Sequence, residues 1–144
     1  MSTALLDVNV LIALLDPRHV HHDPAHAWFA GHDQPWASCP LTQNAVLRIL
    51  GQPRYPNSPG PPAVVAPLLE TFLQHPRHRF WTDAVSLLDS SCAHTDRLLE
   101  AGQLIDAYLL ALAVHHRGHL VTLDRRLSAE AVIGGREALW LIEA

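Results

Sequence analysis

Three aspartates are the residues of this 144-residue chain best placed to do chemistry. Asp7 and Asp124 each follow a short apolar run, which is the pattern of a buried strand that ends in a loop. Asp106 opens the apolar stretch 107–114, which is typical of a helix. In an open α/β sheet the ligand crevice lies outside the carboxyl ends of the strands, so these side chains can converge there. Converging carboxylates repel each other unless a cation neutralises them, which predicts a site for Mg²⁺ or Mn²⁺.

A simpler explanation is open for each aspartate by itself. An aspartate that follows a strand or opens a helix is often a helix N-cap or a turn residue. Capping alone explains the joint placement of all three less easily, and this joint placement favours the metal site.

The composition predicts one compact domain that spans residues 1–144. The chain is 49% hydrophobic and has a mean hydropathy of +0.08, which is enough for a real core. No apolar stretch approaches the roughly 18 residues needed to span a bilayer, and no basic region precedes the first apolar run. We therefore expect a cytoplasmic protein. Cys39 and Cys92 lack metal-ligand spacing and are too few for a disulfide framework, so we expect buried, reduced thiols.

The charged residues limit how the chain can bind nucleic acid. A formal charge of −4 argues against binding by bulk electrostatics, so any such binding must be local. All ten basic residues are arginines, which excludes mechanisms that require a lysine. Arg125 and Arg126 directly follow Asp124 and are the best-placed pair to bind a phosphate group. A solvated first turn of a helix explains the same pair equally well.

The eleven histidines include a group near the N-terminus. A zinc site is the less favoured interpretation, because it would need a geometrically closed set of ligands with supporting groups. We expect them to line a polar loop and the exposed face of the next helix; the group comprises His19, His21, His22 and His26.

Apolar runs and breaker residues predict strands that alternate with helices. This alternation favours an α/β fold with a parallel sheet covered by helices on both faces. The Pro-rich segment 53–62 between two of the helices is predicted to be an irregular loop at a functional rim. The predicted strands are 3–6, 35–39, 79–81, 119–123 and 139–142. The predicted helices are 10–15, 24–30 with Asp23 as N-cap, 45–50, 62–74, 83–88, 94–100, 104–116 and 125–131.

Four segments together resemble the PIN-domain ribonucleases, specifically VapC toxins of VapBC toxin–antitoxin systems. The most specific are the opening Leu-Asp-Val-Asn segment, 6–9, and the Asp-Ala-Tyr-Leu-Leu-Ala-Leu-Ala segment, 106–113. Segments 40–50 and 121–126 extend the likeness over nearly the whole chain. The resemblance implies a three-layer α/β/α fold with about five parallel strands and Mg²⁺- or Mn²⁺-dependent cleavage of RNA. It also implies a VapB-like antitoxin as partner and a homodimer.

The resemblance also assigns roles to individual residues. Asp7, Asp106 and Asp124 would be the catalytic, metal-binding acids. Asn9 would lie at the edge of the site, and Thr122 would match the Ser or Thr that the family places two residues before its last acid. Both are predicted to support the ligands through hydrogen bonds. Helix capping is the alternative for Asn9 and strand propensity the alternative for Thr122.

One departure from the family pattern concerns Gln43. Many members carry a glutamate in the segment after the second strand, where this chain has the amide. The amide can still donate a carbonyl oxygen or orient a water, but it removes one negative charge. That loss should weaken a second metal position more than the first. A polar residue in the first turn of a helix is the plain alternative.

Two other functions remain to be separated from RNA cleavage. A phosphatase or phosphorelay protein also places an aspartate after its first strand, but both ordinarily rely on a lysine, which this chain lacks. A non-catalytic PIN scaffold that binds RNA or a partner would be compatible with Gln43 and the few basic residues.

The resemblance also implies a groove on the toxin that receives a helix of the antitoxin, and the sequence offers candidate residues for it. Trp28, Phe29 and segment 46–50 combine aromatic and aliphatic side chains that could receive an antitoxin helix. The same residues fit a plain role in the core.

Overall fold

A sheet of five parallel strands forms the centre of the molecule, in the order β3-β2-β1-β4-β5. The computed structural model describes residues 2–144. Each neighbouring pair in the sheet is parallel, which confirms the predicted sheet. The strands are β1 (Ala4–Leu6), β2 (Trp36–Ser38), β3 (His78–Phe80), β4 (His119–Thr122) and β5 (Leu139–Leu141).

Helices cover both faces of this sheet and give the predicted three-layer α/β/α architecture. The helices are α1 (Val8–Leu15), α2 (His22–Gly31), α3 (Pro40–Leu50), α4 (Pro62–Phe72), α5 (Leu104–His115) and α6 (Gly135–Ala138). Among residues 2–144, no helix is both long enough and apolar enough to cross a membrane.

Successive side chains of β1 point to opposite faces of the sheet, and the sheet divides the core into two halves. Leu5 packs with buried residues of α5, while Ala4 and Leu6 pack with α1, α3 and α4 on the other face. All three β1 side chains are fully buried, as expected for a central strand of a parallel sheet. The sheet therefore holds the N-termini of α1 and α5 in fixed positions relative to each other.

The strand order places a topological switch point between β1 and β4. From β1 the chain proceeds outward through β2 and β3, and then it crosses to β4 and β5 on the other side. Ligands of open α/β sheets bind outside the carboxyl ends of the strands at such a point. Asp7 directly follows β1, and Asp124 lies two residues beyond the end of β4.

Several helices begin earlier than the apolar pattern predicted. Helix α1 begins at Val8 because the Asp7 side chain accepts a hydrogen bond from the Val8 amide and caps the helix. Helix α3 begins at Pro40, where a missing N–H costs nothing. The prediction of Asp23 as an N-cap was wrong, since α2 begins at His22 and Asp23 lies in its first turn.

Three short helices were predicted wrongly. Segment 83–88 is not helical, segment 94–100 contains only a 3₁₀ turn at Thr95–Arg97, and segment 125–131 forms turns. In the last of these, Asp124 Oδ1 accepts a hydrogen bond from the Arg126 amide, which closes a local turn instead of a helix. Helix α6 was not predicted, because Gly134 and Gly135 at its start are typical of a loop. Gly134 has a φ of 75°, which suits glycine.

The cysteines and histidines occupy different environments. Cys39 is buried and Cys92 is half-buried, and both are free thiols. His75 and His78 are half-buried against Trp36, with the Trp36 indole N–H donating to His75 Nδ1 at 3.2 Å. These two residues therefore belong to the structure around β2 and not to an exposed face.

We predict that Gly118→Ala destabilises the fold by about 2 kcal/mol, because the added methyl would overpack the start of β4. A Cβ at Gly118 would lie 2.4 Å from the carbonyl oxygen of Thr3 and 3.0 Å from the Trp81 ring. Urea unfolding followed by circular dichroism measures the change. Gly31→Ala is the matched control, because nothing lies within 4 Å of its Cβ. Equal stability of the two variants would contradict this packing.

Candidate metal centre

The Asp7 carboxylate is fixed by hydrogen bonds at the junction of β1 and α1. Its backbone N–H donates to the carbonyl of Val121 on β4 at 2.9 Å. Its Oδ1 accepts from the Val8 amide at 2.7 Å, and its Oδ2 accepts from the Thr122 hydroxyl at 2.8 Å. The residue is only 5% exposed. Its position is therefore determined by the pairing of β1 with β4.

The hydroxyl of Thr122 connects the elements around Asp7. While donating to Asp7, it accepts hydrogen bonds from Asn9 Nδ2 at 3.2 Å and from the Asp124 amide at 3.0 Å. Asn9 Oδ1 in turn accepts from the Leu123 amide at 3.1 Å. Asn9 and Thr122 thus hold the carboxyl ends of β1 and β4 together, an arrangement suited to orienting ligands. The strand propensity of Thr122 does not account for these contacts.

Asp106 lies in the first turn of α5, half-buried, within electrostatic reach of the other two acids. Burial raises the pKa of Asp106 from 3.8 to about 6, and the charges of Asp7 and Asp124 add to the rise. Burial also raises the pKa of Asp7, with a further contribution from Asp124, against the opposing hydrogen bonds from Thr122 and Val8. The three predicted acids therefore lie within electrostatic reach of one another.

No salt bridge among residues 2–144 balances the negative charge of these acids. Within residues 2–144 the two ion pairs are Arg125–Glu143 and Arg136–Glu130, and neither includes a site acid. In the same part of the chain, no donor is within hydrogen-bond distance of the Asp106 carboxylate. A set of partly free carboxylate oxygens fits Mg²⁺ or Mn²⁺, which prefer hard oxygen ligands.

The three carboxylates are not yet arranged as a closed coordination shell. Across the described residues, no three His, Cys, Asp or Glu side chains are gathered closely enough to hold a metal ion together. Mutual repulsion is a sufficient physical reason for the acids to stand apart, because like charges at close range disfavour the ionised state.

Gln43 is directed toward β2. Its Nε2 donates to the Ser38 hydroxyl at 3.0 Å, and this hydroxyl is 2.8 Å from His78 Nε2. The side chain therefore belongs to a hydrogen-bonded chain beside the sheet, and the supporting role predicted for it at the metal stays a prediction.

Arg125 and Arg126 have separate surroundings. Arg125 lies 3.5 Å from Glu143 and also donates to the Ala144 carbonyl, so the C-terminal residues engage it. Arg126 lines a cleft of about 430 Å³ together with Asp106. Of the two predicted phosphate-binding residues, Arg126 is therefore the better placed.

A second cleft, of about 410 Å³, contains Asp7, Asn9 and Asp106. Its other wall includes residues that the sequence analysis did not select as site residues. They come from the His-rich loop after α1, from α3 and from the Pro-rich loop, of which only the Pro-rich loop was predicted to lie at a functional rim. The residues are His19, Arg48 and Tyr55.

The predicted antitoxin groove residues take part in the core. Trp28 and Phe29 are half-buried and pack against the cluster that contains the buried Val46 and Leu50. The alternative explanation of these residues as core therefore accounts for much of their apolar surface. Their role in partner binding stays a prediction.

Comparisons with known proteins identify the family of this chain. The PIN domain family matches residues 4–132. Ribonuclease VapC44 of Mycobacterium tuberculosis is 49% identical over 132 residues, covering 91% of this chain and 92% of the relative. Ribonuclease VapC39 of the same organism is 38% identical over 138 residues, covering 95% and 99%. The chain therefore belongs to the PIN-domain family, among the VapC ribonucleases.

Solved structures support the fold. VapC20 of Mycobacterium tuberculosis, described as a Sarcin-Ricin loop cleaving toxin, matches with a TM-score of 0.64 at 15% identity, covering 90% of this chain and 96% of that chain. A toxin-antitoxin complex from Klebsiella pneumoniae matches with a TM-score of 0.57 at 20% identity, covering 86% and 88%. Neither the phosphatase interpretation nor a non-catalytic scaffold is favoured by these relatives.

We predict that Asp106→Asn stabilises the metal-free protein by about 1 kcal/mol at pH 7, after allowance for solvent screening of a half-exposed group. The pKa of Asp106 is about 6 in the folded chain and 3.8 as its ordinary value, so the folded state binds this proton more tightly. The stabilisation that protonated Asp106 gives to the folded wild type is complete below pH 4. It is lost as the pH rises through about 6, where Asp106 ionises.

Urea unfolding in EDTA at pH 4 and pH 7 measures this difference. The variant should gain stability over the wild type only at the higher pH. Asp96→Asn is the control, because Asp96 is exposed in the 3₁₀ turn. A gain of equal size at both pH values, or a loss at pH 7, would contradict the predicted repulsion.

Proposed function

We propose that this protein is the toxin of a VapBC-type toxin–antitoxin pair, a Mg²⁺- or Mn²⁺-dependent endoribonuclease that hydrolyses RNA phosphodiester bonds. The observation that carries the proposal is the cluster of Asp7, Asp106 and Asp124 at the switch point, where neighbouring charge contributes to the raised pKa of two of them. The relatives named Ribonuclease VapC support the same activity.

The proposed role of each residue follows from its surroundings. The carboxylates of Asp7, Asp106 and Asp124 would hold the metal ion. Bound there, the ion would supply positive charge for the phosphate oxygens and acidity for a water molecule. Thr122 and Asn9 would keep Asp7 oriented through the hydrogen bonds they already make.

Gln43 bears on how many metal ions the site would take. The amide contributes no charge, and its nitrogen is already committed to Ser38. We expect one metal position to be occupied more strongly than a second, because only three acids are present to offset the charge of two cations.

The partners of the proposed toxin are a VapB-like antitoxin and an RNA substrate. Two of the matching solved structures are described as a toxin-antitoxin complex and as VapBC2 of Rickettsia felis. The homodimer, the cytoplasmic location and the organisation as one domain over residues 1–144 stay predictions.

The first test of this function is RNA cleavage in the cell and by pure protein. Induced expression of the wild type should create new RNA 5′ ends, and sequencing those ends identifies the substrate at the same time. Pure protein should cut a synthetic RNA that spans the mapped position with Mg²⁺ or Mn²⁺, but not in EDTA.

Asp7→Asn and Asp106→Asn should each lower this cleavage at least about a hundredfold, because each removes a charge that the metal requires. Asp96→Asn controls for an exposed aspartate. The assignment is wrong if either site variant cuts at the wild-type rate, or if cleavage persists in EDTA.

We also predict that Thr122→Val lowers cleavage about tenfold at limiting Mn²⁺, because Asp7 loses its donor and Asn9 its acceptor. Thr122→Ser keeps the hydroxyl and should stay within about twofold of the wild type. Rates measured over a range of Mn²⁺ concentrations separate weaker metal binding from a slower reaction. If valine and serine give the same rates, the Thr122 hydroxyl has no such role.

A further inference from the structure

The 410 Å³ cleft that contains Asp7 and Asp106 is also lined by aromatic, cationic and hydrogen-bonding side chains. His19 comes from the loop after α1, Arg48 from α3 and Tyr55 from the loop after α3. None of these residues has a place in the proposed metal centre, yet all share a cleft with Asp7 and Asp106.

Tyr55 is held in place by its hydroxyl group. The hydroxyl donates to Oδ2 of Asp16, which also accepts from Asn57 Nδ2 at 2.9 Å, while Asp16 Oδ1 accepts from the Arg18 amide at 3.0 Å. Burial by itself would raise the pKa of Asp16, but these hydrogen bonds outweigh it and lower the pKa. Asp16 is therefore an ionised anchor that is only 6% exposed.

This anchor determines what Tyr55 can offer to a ligand. Because the hydroxyl is committed to Asp16, the surface that Tyr55 contributes to the cleft is its ring. Tyr55 also lines a neighbouring cavity formed by the Pro-rich loop. A fixed aromatic ring beside a charged site is a stacking platform for a nucleic-acid base.

Arg48 supplies a cation on the same side of the cleft. It is exposed, and within residues 2–144 its guanidinium makes no ion pair or hydrogen bond. It shares one face of α3 with Ala45 and Ile49, at the spacing that aligns side chains along a helix, and all three line the cleft. A free guanidinium fits a phosphate oxygen pair.

His19 has one ring nitrogen available to the cleft. Its Nδ1 accepts a hydrogen bond from the His21 amide at 3.0 Å. Burial lowers the pKa of His19 and nearby His21 adds to the effect, which favours the neutral ring. In a neutral ring whose Nδ1 accepts, the proton is on Nε2, which makes His19 a hydrogen-bond donor.

We propose that Tyr55, Arg48 and His19 form a binding site for one nucleotide of the RNA strand next to the scissile phosphate. The base stacks on the Tyr55 ring, Arg48 binds the phosphate of this nucleotide, and His19 Nε2 donates to one of its oxygens. This inference rests on the proposed ribonuclease function and adds the residues that position the strand.

The test uses the synthetic RNA that spans the mapped cleavage position, at saturating Mg²⁺. Tyr55→Leu should raise KM about tenfold with kcat within about twofold, because base stacking contributes to binding and not to the reaction. Tyr55→Phe keeps the ring without its anchor and should raise KM about threefold. Tyr108→Phe is the matched control, because Tyr108 likewise donates to an aspartate, Asp83, but lies outside this cleft.

Abasic RNA distinguishes stacking from a structural role of Tyr55. A series of RNAs, each lacking one base near the cut, should include one that raises KM about tenfold for the wild type. The same RNA should give no further increase with Tyr55→Leu, since the stacked pair is already lost. Independent, multiplying effects at every position would overturn the stacking assignment.

The charge of Arg48 is tested by the salt dependence of KM. Arg48→Gln should reduce the slope of log KM against log salt by about 1, as expected for one lost phosphate contact. Arg54→Gln, an exposed arginine of the following loop, should leave the slope unchanged.

The outcomes separate this inference from the function on which it rests. If the wild type cuts no RNA, the proposed function itself fails. If the wild type cuts and Tyr55→Leu keeps the wild-type KM, or loses kcat instead, the nucleotide site is wrong and the ribonuclease assignment stands.

Discussion

Mutual repulsion among three carboxylates is the constraint on which the site depends. The pairing of β1 with β4 brings Asp7 next to the end of β4, and the sheet fixes α5 so that Asp106 lies within reach of both. Burial raises the pKa of Asp106 to about 6 and the charges of Asp7 and Asp124 add to the rise, so ionising Asp106 here is costly. A divalent cation bound between these carboxylates would remove this cost, which supports the proposed metal site.

The surrounding structure keeps the acids in place without a salt bridge to any of them among residues 2–144. Asp7 caps α1 and Asp106 lies in the first turn of α5, so each carboxylate is near the positive end of a helix dipole. The Thr122 hydroxyl and the Val8 amide donate to Asp7 and oppose the rise of its pKa. These neutral donors orient the carboxylate, yet they leave net negative charge available for a metal ion.

The acids and the sheet could be predicted from sequence because both follow from local patterns. Apolar runs that end in Asp7 and Asp124 indicate buried strands, and the position of an acid after a parallel strand indicates the edge at which it lies. The side-chain hydrogen bonds that join distant segments could not be predicted from such local patterns. Tyr55 and Asp16 are separated by 39 residues, and no periodicity relates a Pro-rich loop to the end of α1. The short helices predicted at 83–88 and 125–131 failed because their polar residues close turns, as Asp124 does with the Arg126 amide.

Anomalous diffraction from a crystal soaked in Mn²⁺ tests the central claim most directly, because it locates the ion without reference to activity. The account predicts one strong manganese peak outside the carboxyl ends of β1 and β4, about 2.1 Å from oxygens of Asp7, Asp106 and Asp124. A peak bound by the N-terminal histidines, or a fully ionised site with no manganese at all, would contradict it.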